Sequence, residues 1–382
     1  MKKTIFIIAL VVVVLFTMVI TFGCGKEKET NIIRIGAILP LTGPYANFGV
    51  EEQRGMDLAV EEINSKGLNN QIQIIYEDSK GDPKLGISAY NKLTNINKIN
   101  FLVTSMTGVS MAIKPLSIKN NYFQNCFAMT EEIAINGDNI FRFYPSLKGE
   151  GHAIVNYINN LKSKKIAIIN YNSEAFENLK TNTIIPGISK DSSNNIYSYS
   201  FIADDIPNIR NILSKVNNDN PDIIVIAAYD AFITPLLKTI KENNYFSNSI
   251  IIGTVDLSIA ANNNPSDEMS IFENTISIVP KSIIYSTFIN QSPKEYVNFL
   301  QKYKDKYNKG ITFDATFGYD FVHAFSNAIE NNDNITSESI SKYIKNRKFN
   351  GVNGIINIDN NGNASTDWNI IQYINGEMNL IE

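Results

Sequence analysis

Apolar and polar positions alternate along the chain with two periods, and the clearest case lies near its start. Ile33, Ile35, Ala37, Ile38 and Leu39 make a short apolar run that stops at Pro40, the pattern of a parallel strand buried on both faces. Leu41-Thr42-Gly43-Pro44-Tyr45-Ala46-Asn47-Phe48-Gly49 is rich in turn formers and carries two aromatics, so it reads as a loop. Met56, Ala59, Val60 and Ile63 then recur at helical spacing, with Glu51, Glu52, Glu61 and Glu62 off that face. Gly67 stands where a left-handed C-cap is expected. Strand, loop and amphipathic helix form half of a βαβ unit, and open parallel sheets bind ligands at such loops.

The same alternation fills the body of the chain. It predicts strands at 71–77, 100–104, 122–127, 165–170, 195–202, 222–228 and 249–253, and helices at 84–95, 149–161, 175–189, 206–216, 231–243, 293–307, 315–330 and 337–347. Alternating strands and helices imply an α/β fold with parallel sheets. Near the end, 354–358 reads as a strand before the hairpin signal Asn361-Gly362, and Ile370 to Tyr373 precedes a second one, Asn375-Gly376. The pattern alone allows one large doubly wound domain, whereas the length of roughly 350 residues past the leader favours two.

Residues 1–23 read as a leader. Lys2 and Lys3 precede an apolar run from Ile5 to Ile20, and Gly23-Cys24 follows. Cleavage before Cys24 would make it a lipid-modified N-terminus, with 24–31 as a charged tether; an uncleaved anchor is the alternative and puts the domain on the same side of the membrane. Loss of Lys2 and Lys3 takes the formal charge from −4 to −6, and no basic stripe suggests nucleic acid. Cys24 and Cys126 are the two cysteines; with Cys24 lipidated, Cys126 is a lone thiol in an apolar strand and reads as buried structure rather than as a nucleophile.

Ile35-Gly36-Ala37-Ile38-Leu39-Pro40-Leu41-Thr42-Gly43-Pro44, then Gly49 and Gly55-Met56-Asp57-Leu58-Ala59, resembles the opening of the type I periplasmic solute-binding proteins. Glu77-Asp78-Ser79-Lys80-Gly81-Asp82-Pro83 resembles the family's second motif, at the right spacing. The chain looks most like the leucine/isoleucine/valine-binding branch serving ABC importers, and the likeness runs from about residue 32 to the C-terminus. It implies two Rossmann-like lobes with parallel central sheets joined by a three-strand hinge. Matching positions put lobe 1 at 32–145 plus 278–350, and lobe 2 at 146–277 plus 351–382, with crossings near Pro145, Ile278 and Asn350.

The resemblance also implies a site for a zwitterion. The loop around Thr107 and Gly108 would bind the α-carboxylate, as helix starts bind anions; Thr130 would donate to the same group, and the Ala128 carbonyl would accept from the ammonium. Tyr229 would line the cleft from the second lobe, and Asp256 would pair with the ammonium. Read without the family, Thr107, Thr130 and Asp256 are ordinary helix caps. Phe48 and Phe176 stand where relatives often have tyrosine, which favours an apolar ligand side chain. The implied protein is a monomeric, lipid-anchored receptor outside the cytoplasmic membrane. It captures an amino acid, aliphatic by preference, for an ABC permease, and needs no cofactor or metal.

Enzymatic readings find little purchase. The chain carries no Gly-x-Gly-x-x-Gly after a strand, no Walker loop and no Gly-x-Ser-x-Gly elbow, and His152 and His323 lie far apart on helical segments. The remaining alternatives keep the fold and differ in role. They are binding of an amide, urea or another small polar solute, service as a sensor domain, or a structural lipoprotein with a degenerate cleft.

Overall fold

The computed structural model describes residues 31–67, 69–135, 137–161, 165–190, 194–202 and 206–381. Cys24, the leader and most of the tether lie outside them. In chain order the first half runs β1 (Asn31–Leu39), α1 (Ala46–Ser65), β2 (Asn70–Asp78), α2 (Pro83–Asn95), β3 (Phe101–Ser105), α3 (Thr107–Lys119), β4 (Gln124–Phe127), β5 (Ile140–Phe141) and α4 (Leu147–Asn160). Next come β6 (Lys165–Tyr171), α5 (Glu174–Leu179, continuing through a wider turn to Ile188), β7 (Asn195–Phe201), α6 (Ile206–Asp219), β8 (Ile223–Ala227), α7 (Asp230–Glu242), β9 (Ile250–Gly253) and α8 (Val255–Asn263). The chain then forms β10 (Ile276–Pro280), α9 (Lys281–Thr287), α10 (Lys294–Tyr307), α11 (Phe313–Glu330) and α12 (Ser337–Ile344). It closes with β11 (Lys348–Gly351), β12 (Gly354–Ile358), β13 (Ala364–Ser365), β14 (Trp368–Ile374) and β15 (Glu377–Leu380).

Two large sheets organise these elements, as the expected α/β class requires. The first has the order β2-β1-β3-β4-β5 and is parallel throughout. The second has the order β15-β14-β10-β9-β8-β6-β7; β7 to β10 are parallel, and β14 and β15 join antiparallel at one edge. A small antiparallel sheet, β11-β12-β13, packs on the first sheet's core and bonds to Arg142 just after β5. Both Asn-Gly signals fall on turns: Gly362 has φ of 92°, and Asn375 and Gly376 have φ of 55° and 75°, the positive pair that a tight hairpin needs. Ile278 pairs with Ile370 inside the second sheet, so the chain leaves that sheet after Pro280. After Asn350, the hairpin sends Ile356, Ile358 and Ala364 into the core of the first sheet, and the chain regains the second sheet at Trp368.

Each sheet packs its own core. Phe101, Phe123 and Phe141 of the first sheet meet Phe321 and Phe325 of α11 in a continuous aromatic cluster. The second sheet buries both faces, with Ile224 and Ile226 in one cluster and Ile223 and Val225 in the other. That is why residues 223–227 read as an unbroken apolar run. Among the described residues no helix is long and apolar enough to cross a membrane. Cys126 is fully buried, and burial pushes its thiol up to about 12.

The expected solvent position of Glu51 and Glu52 needs correction: they are 4% and 2% exposed. Helix α11 crosses α1 so closely that it covers a second face of α1. Two helix-interior glycines permit this. A Cβ on Gly55 would stand 1.9 Å from the carbonyl oxygen of Ala315, and one on Gly318 would stand 2.4 Å from that of Glu52. In an open helix, glycine to alanine stabilises by about 0.5–1 kcal/mol. Here Gly318→Ala should instead destabilise by about 1–3 kcal/mol, because the two backbones must part. Chemical denaturation of Gly318→Ala beside Gly310→Ala, where nothing lies within 4 Å of the added carbon, checks the sign.

Candidate functional site

In an open parallel sheet, the loops on either side of a reversal in strand order diverge and leave a crevice at the carboxyl ends. The first sheet reverses between β1 and β3, the second between β6 and β8. Loops from all four strands meet around one cavity of about 230 Å³: Tyr45 and Phe48 after β1, Met106 to Gly108 after β3, Ser173 to Ala175 after β6, and Tyr229 after β8. Ala128 and Thr130, beyond β4, complete the wall. Six of the eight expected ligand residues, Phe48, Thr107, Gly108, Ala128, Thr130 and Tyr229, thus line a single cavity. Phe48 also borders a second cavity of about 470 Å³, walled by α1, α11, α8 and α9 and lined by Asp230 and Asp314.

Local chemistry fixes each wall. Asp78, at the end of β2, holds the loop after β1: it accepts from the N–H groups of Leu41 and Thr42 at 2.9 and 3.3 Å and from the Thr42 hydroxyl. Burial works against its charge, but these bonds outweigh it and keep the carboxyl below its usual range. Gly81 lets the Tyr45 ring lie against the backbone, since a Cβ there would be 2.6 Å from the ring. Met106 has φ of 69°, a conformation that costs a side-chain-bearing residue about 1–3 kcal/mol and concentrates at binding sites. It opens α3 without a side-chain cap, and Thr107 and Gly108, the first residues of that helix, line the cavity, where an uncapped helix start suits an anion.

Two expected residues stand elsewhere. Phe176 is fully buried, its ring edge-on to Tyr229 at 4.9 Å, so it braces that tyrosine from behind and forms no wall. Asp256 is 2% exposed and lines neither cavity. It accepts from the Asp230 N–H at 3.2 Å and the Thr254 hydroxyl at 3.3 Å, tying the starts of α7 and α8 together. The Thr130 hydroxyl donates to Glu132. The Tyr229 phenol is pushed up to about 12 by burial and by the Asp256 charge.

Nothing in the hydrophobic pattern announces the set of buried acids around these cavities. Glu52 lines the smaller one and accepts from the Ser105 hydroxyl at 2.9 Å. Asp314 lines the larger one and accepts from the Tyr144 hydroxyl at 2.6 Å. Glu150 accepts from the Val255 N–H. Burial, then the nearby charge of Asp314, raises the Glu52 carboxyl well above its ordinary value, and burial with the Asp256 charge does the same for Glu150. Burial lifts Asp256 and Asp314 to about 7, with Asp230 adding to the shift of each.

A profile of the periplasmic binding protein family matches residues 32–377. The Leu/Ile/Val-binding protein BraC3 of Rhizobium johnstonii is 40% identical over 91 residues, 23% of this chain and 24% of that protein. The match thus spans about a quarter of the curated relative. The leucine-binding protein LivK of Thermotoga maritima superposes with a TM-score of 0.75 at 20% identity, over 92% of this chain and 98% of that one. A solute-binding protein of an ABC transporter from Rhodopseudomonas palustris BisB5, in complex with 3,4-dihydroxy benzoic acid, gives 0.77 at 18% identity over 92% and 96%. At such identities the likeness is one of fold.

The raised carboxyls make stability depend on pH. An acid whose folded pKa exceeds its unfolded value holds an extra proton when folded, so its stabilising effect is present at low pH and is lost as pH rises through the folded pKa. For Asp314 that window runs from about 4, the unfolded value, to about 7. Asp314→Asn keeps an acceptor for Tyr144 and removes the titration. Denaturation of both proteins at a series of pH values should find the variant gaining stability over wild type as pH rises through this window. Parallel curves would contradict the assignment.

Proposed function

The chain belongs to the periplasmic binding protein family, and from that premise we propose that it is the solute-capturing component of an ABC importer, exported and tethered by lipid at Cys24 to the outer face of the cytoplasmic membrane. The observation that carries this reading is the cavity between two strand-order reversals, with an uncapped helix start on one wall and acids around it. Such a site holds a zwitterion without chemistry, and we assign it no catalytic step. The N–H groups of Thr107 and Gly108, with Thr130 once its hydroxyl turns from Glu132, receive the carboxylate. The Ala128 carbonyl meets the ammonium, and Asp230, on the adjoining larger cavity, adds negative charge with Asp256 beneath it. Tyr229, braced by Phe176, and Phe48 close over the ligand.

In this reading the two sheets are the cores of two lobes, joined near Pro145, after Pro280 and before Trp368. A ligand touching both walls favours the closed arrangement, which docks on the permease, to the extent that its contacts differ between open and closed forms. The monomeric receptor then signals occupancy to the permease by lobe closure.

A second reading follows from the neighbour bound to 3,4-dihydroxy benzoic acid. An aromatic acid would use the same helix start and leave the acidic groups without a partner. Thermal unfolding of residues 25–382 against amino acids, amides, urea and benzoates separates the readings. A ligand at about a hundredfold over its Kd adds roughly 2.7 kcal/mol, and a shift of a few degrees is expected at this size. A shift with amino acids alone supports the proposal; one with benzoates alone replaces the ligand class; none with any of them overturns the receptor reading.

A further inference from the structure

The α1–α11 crossing brings two carboxylates from opposite helices to adjoining cavities, Glu52 to the smaller and Asp314 to the larger. Glu52 lies one turn before Gly55, which packs on Ala315, and Asp314 precedes Ala315; Gly318, one turn on, packs on the Glu52 carbonyl. The Asp314 charge reaches Glu52 across this contact and adds to the rise that burial gives its carboxyl. Neither carboxylate has a cation: among the described residues, no Lys, Arg or His comes within ion-pair distance of Glu52, Glu150, Asp256 or Asp314. The neighbouring Glu51, by contrast, is matched by Arg54 and by Lys309 at 2.7 Å. The second oxygen of Glu52, Oε2, is buried against the smaller cavity with no hydrogen-bond partner among the described residues. A buried, unpaired carboxylate oxygen is costly, and it persists where something outside the chain completes it.

We propose that Glu52 and Asp314 form a subsite for a second positive charge on the ligand, so that the cleft selects an amino acid with a basic side chain over an aliphatic one. The proposal rests on the reading of the cleft as an amino-acid site. The α-ammonium of any amino acid satisfies one acid, on the Asp230 side; Glu52 and Asp314 remain for another cation. Phe48, which borders both cavities, puts an aromatic ring beside the path of a lysine, ornithine or arginine side chain. The 470 Å³ cavity beyond it, where Arg54 and Lys309 are both paired with Glu51 and Asp314 has no cation among the described residues, gives such a chain room that leucine leaves empty. An organic cation suits the geometry better than a metal: among the described residues no three His, Cys, Asp or Glu converge as ligands.

Calorimetric titration of residues 25–382 with L-lysine, L-arginine, L-leucine and putrescine, on wild type, Glu52→Gln and Asp314→Asn, tests this. Both variants replace a buried carboxyl by an amide of nearly the same shape, so they should fold at neutral pH, which far-UV dichroism checks. The expected result is tighter binding of lysine or arginine than of leucine, and a loss of at least about tenfold for the basic amino acid in each variant, with leucine unchanged or improved. Leucine bound more tightly than both basic amino acids, or lysine and arginine affinities untouched by Glu52→Gln, would overturn the subsite while leaving the amino-acid receptor standing. Putrescine binding that depends on Glu52, with no amino acid bound, would keep the cation subsite and overturn the amino-acid reading. Binding of none of the four overturns both.

Discussion

The approach of α1 to α11 is the constraint on which the rest of the first sheet's half depends. Helices packed through ordinary side chains stand about 8–10 Å apart; Gly55 and Gly318 let these backbones touch, with Ala315 and Glu52 as the opposing carbonyls. Everything carried by the two helices is fixed by that contact. It closes the aromatic core, because Phe321 and Phe325 lie further along α11. It also determines that Glu52, on a helix that looks amphipathic with its acids outward, is enclosed beside Asp314 instead of solvated.

The electrostatics of the cleft follow from this enclosure and from its mirror in the second sheet, where Asp256 and Glu150 cap helix starts. An acid accepting backbone N–H groups at a helix N-terminus is ordinarily stabilised in its charged form. Asp256 is not, because burial and the adjacent Asp230 charge outweigh the two hydrogen bonds it accepts. The walls therefore differ in kind. In the proposed reading the uncapped α3 start receives an anion, while burial favours the protonated forms of Glu52, Asp256 and Asp314, which a cation would oppose. A ligand carrying both signs satisfies both walls at once; a simple carboxylate satisfies one.

Much of this is legible in the chain, and the features that are not share a physical cause. The strands buried on both faces announce themselves as apolar runs, and the loops at 41–45 and 105–108 fall on the ligand side because parallel sheets put that side at strand ends. Six expected residues converge as a result. What stays hidden depends on contacts between distant segments. The periodicity of 51–63 marks one buried face, and nothing local says that a helix some 260 residues later in sequence covers another; the interior glycines at 55 and 318 are the available sign. Phe176 and Asp256 sit at the expected places in the chain, but their side chains turn inward, one to support Tyr229 and one to cap α7. Residues 276–280, read by likeness to the family as a crossing, are instead a strand paired with β9 and β14.

The strain at Met106 bears on how binding and closure are connected. A positive φ at a residue with a side chain is retained here although glycine would relieve it, and the N–H of Met106 donates to Phe127 at 3.1 Å, which pins the turn to β4. That turn aims the α3 start at the cavity, and β4 leads directly into Ala128 and Thr130 on the same wall. In the proposed reading the anion wall is thus set by backbone geometry before any ligand arrives. Glu52 on α1, Asp314 on α11 and Asp256 on α8 are the adjustable part, since burial makes their charge depend on what stands opposite. A preset anchor paired with a charge-responsive wall allows the first contact to orient a ligand, and leaves discrimination to the energy released when the second wall meets it.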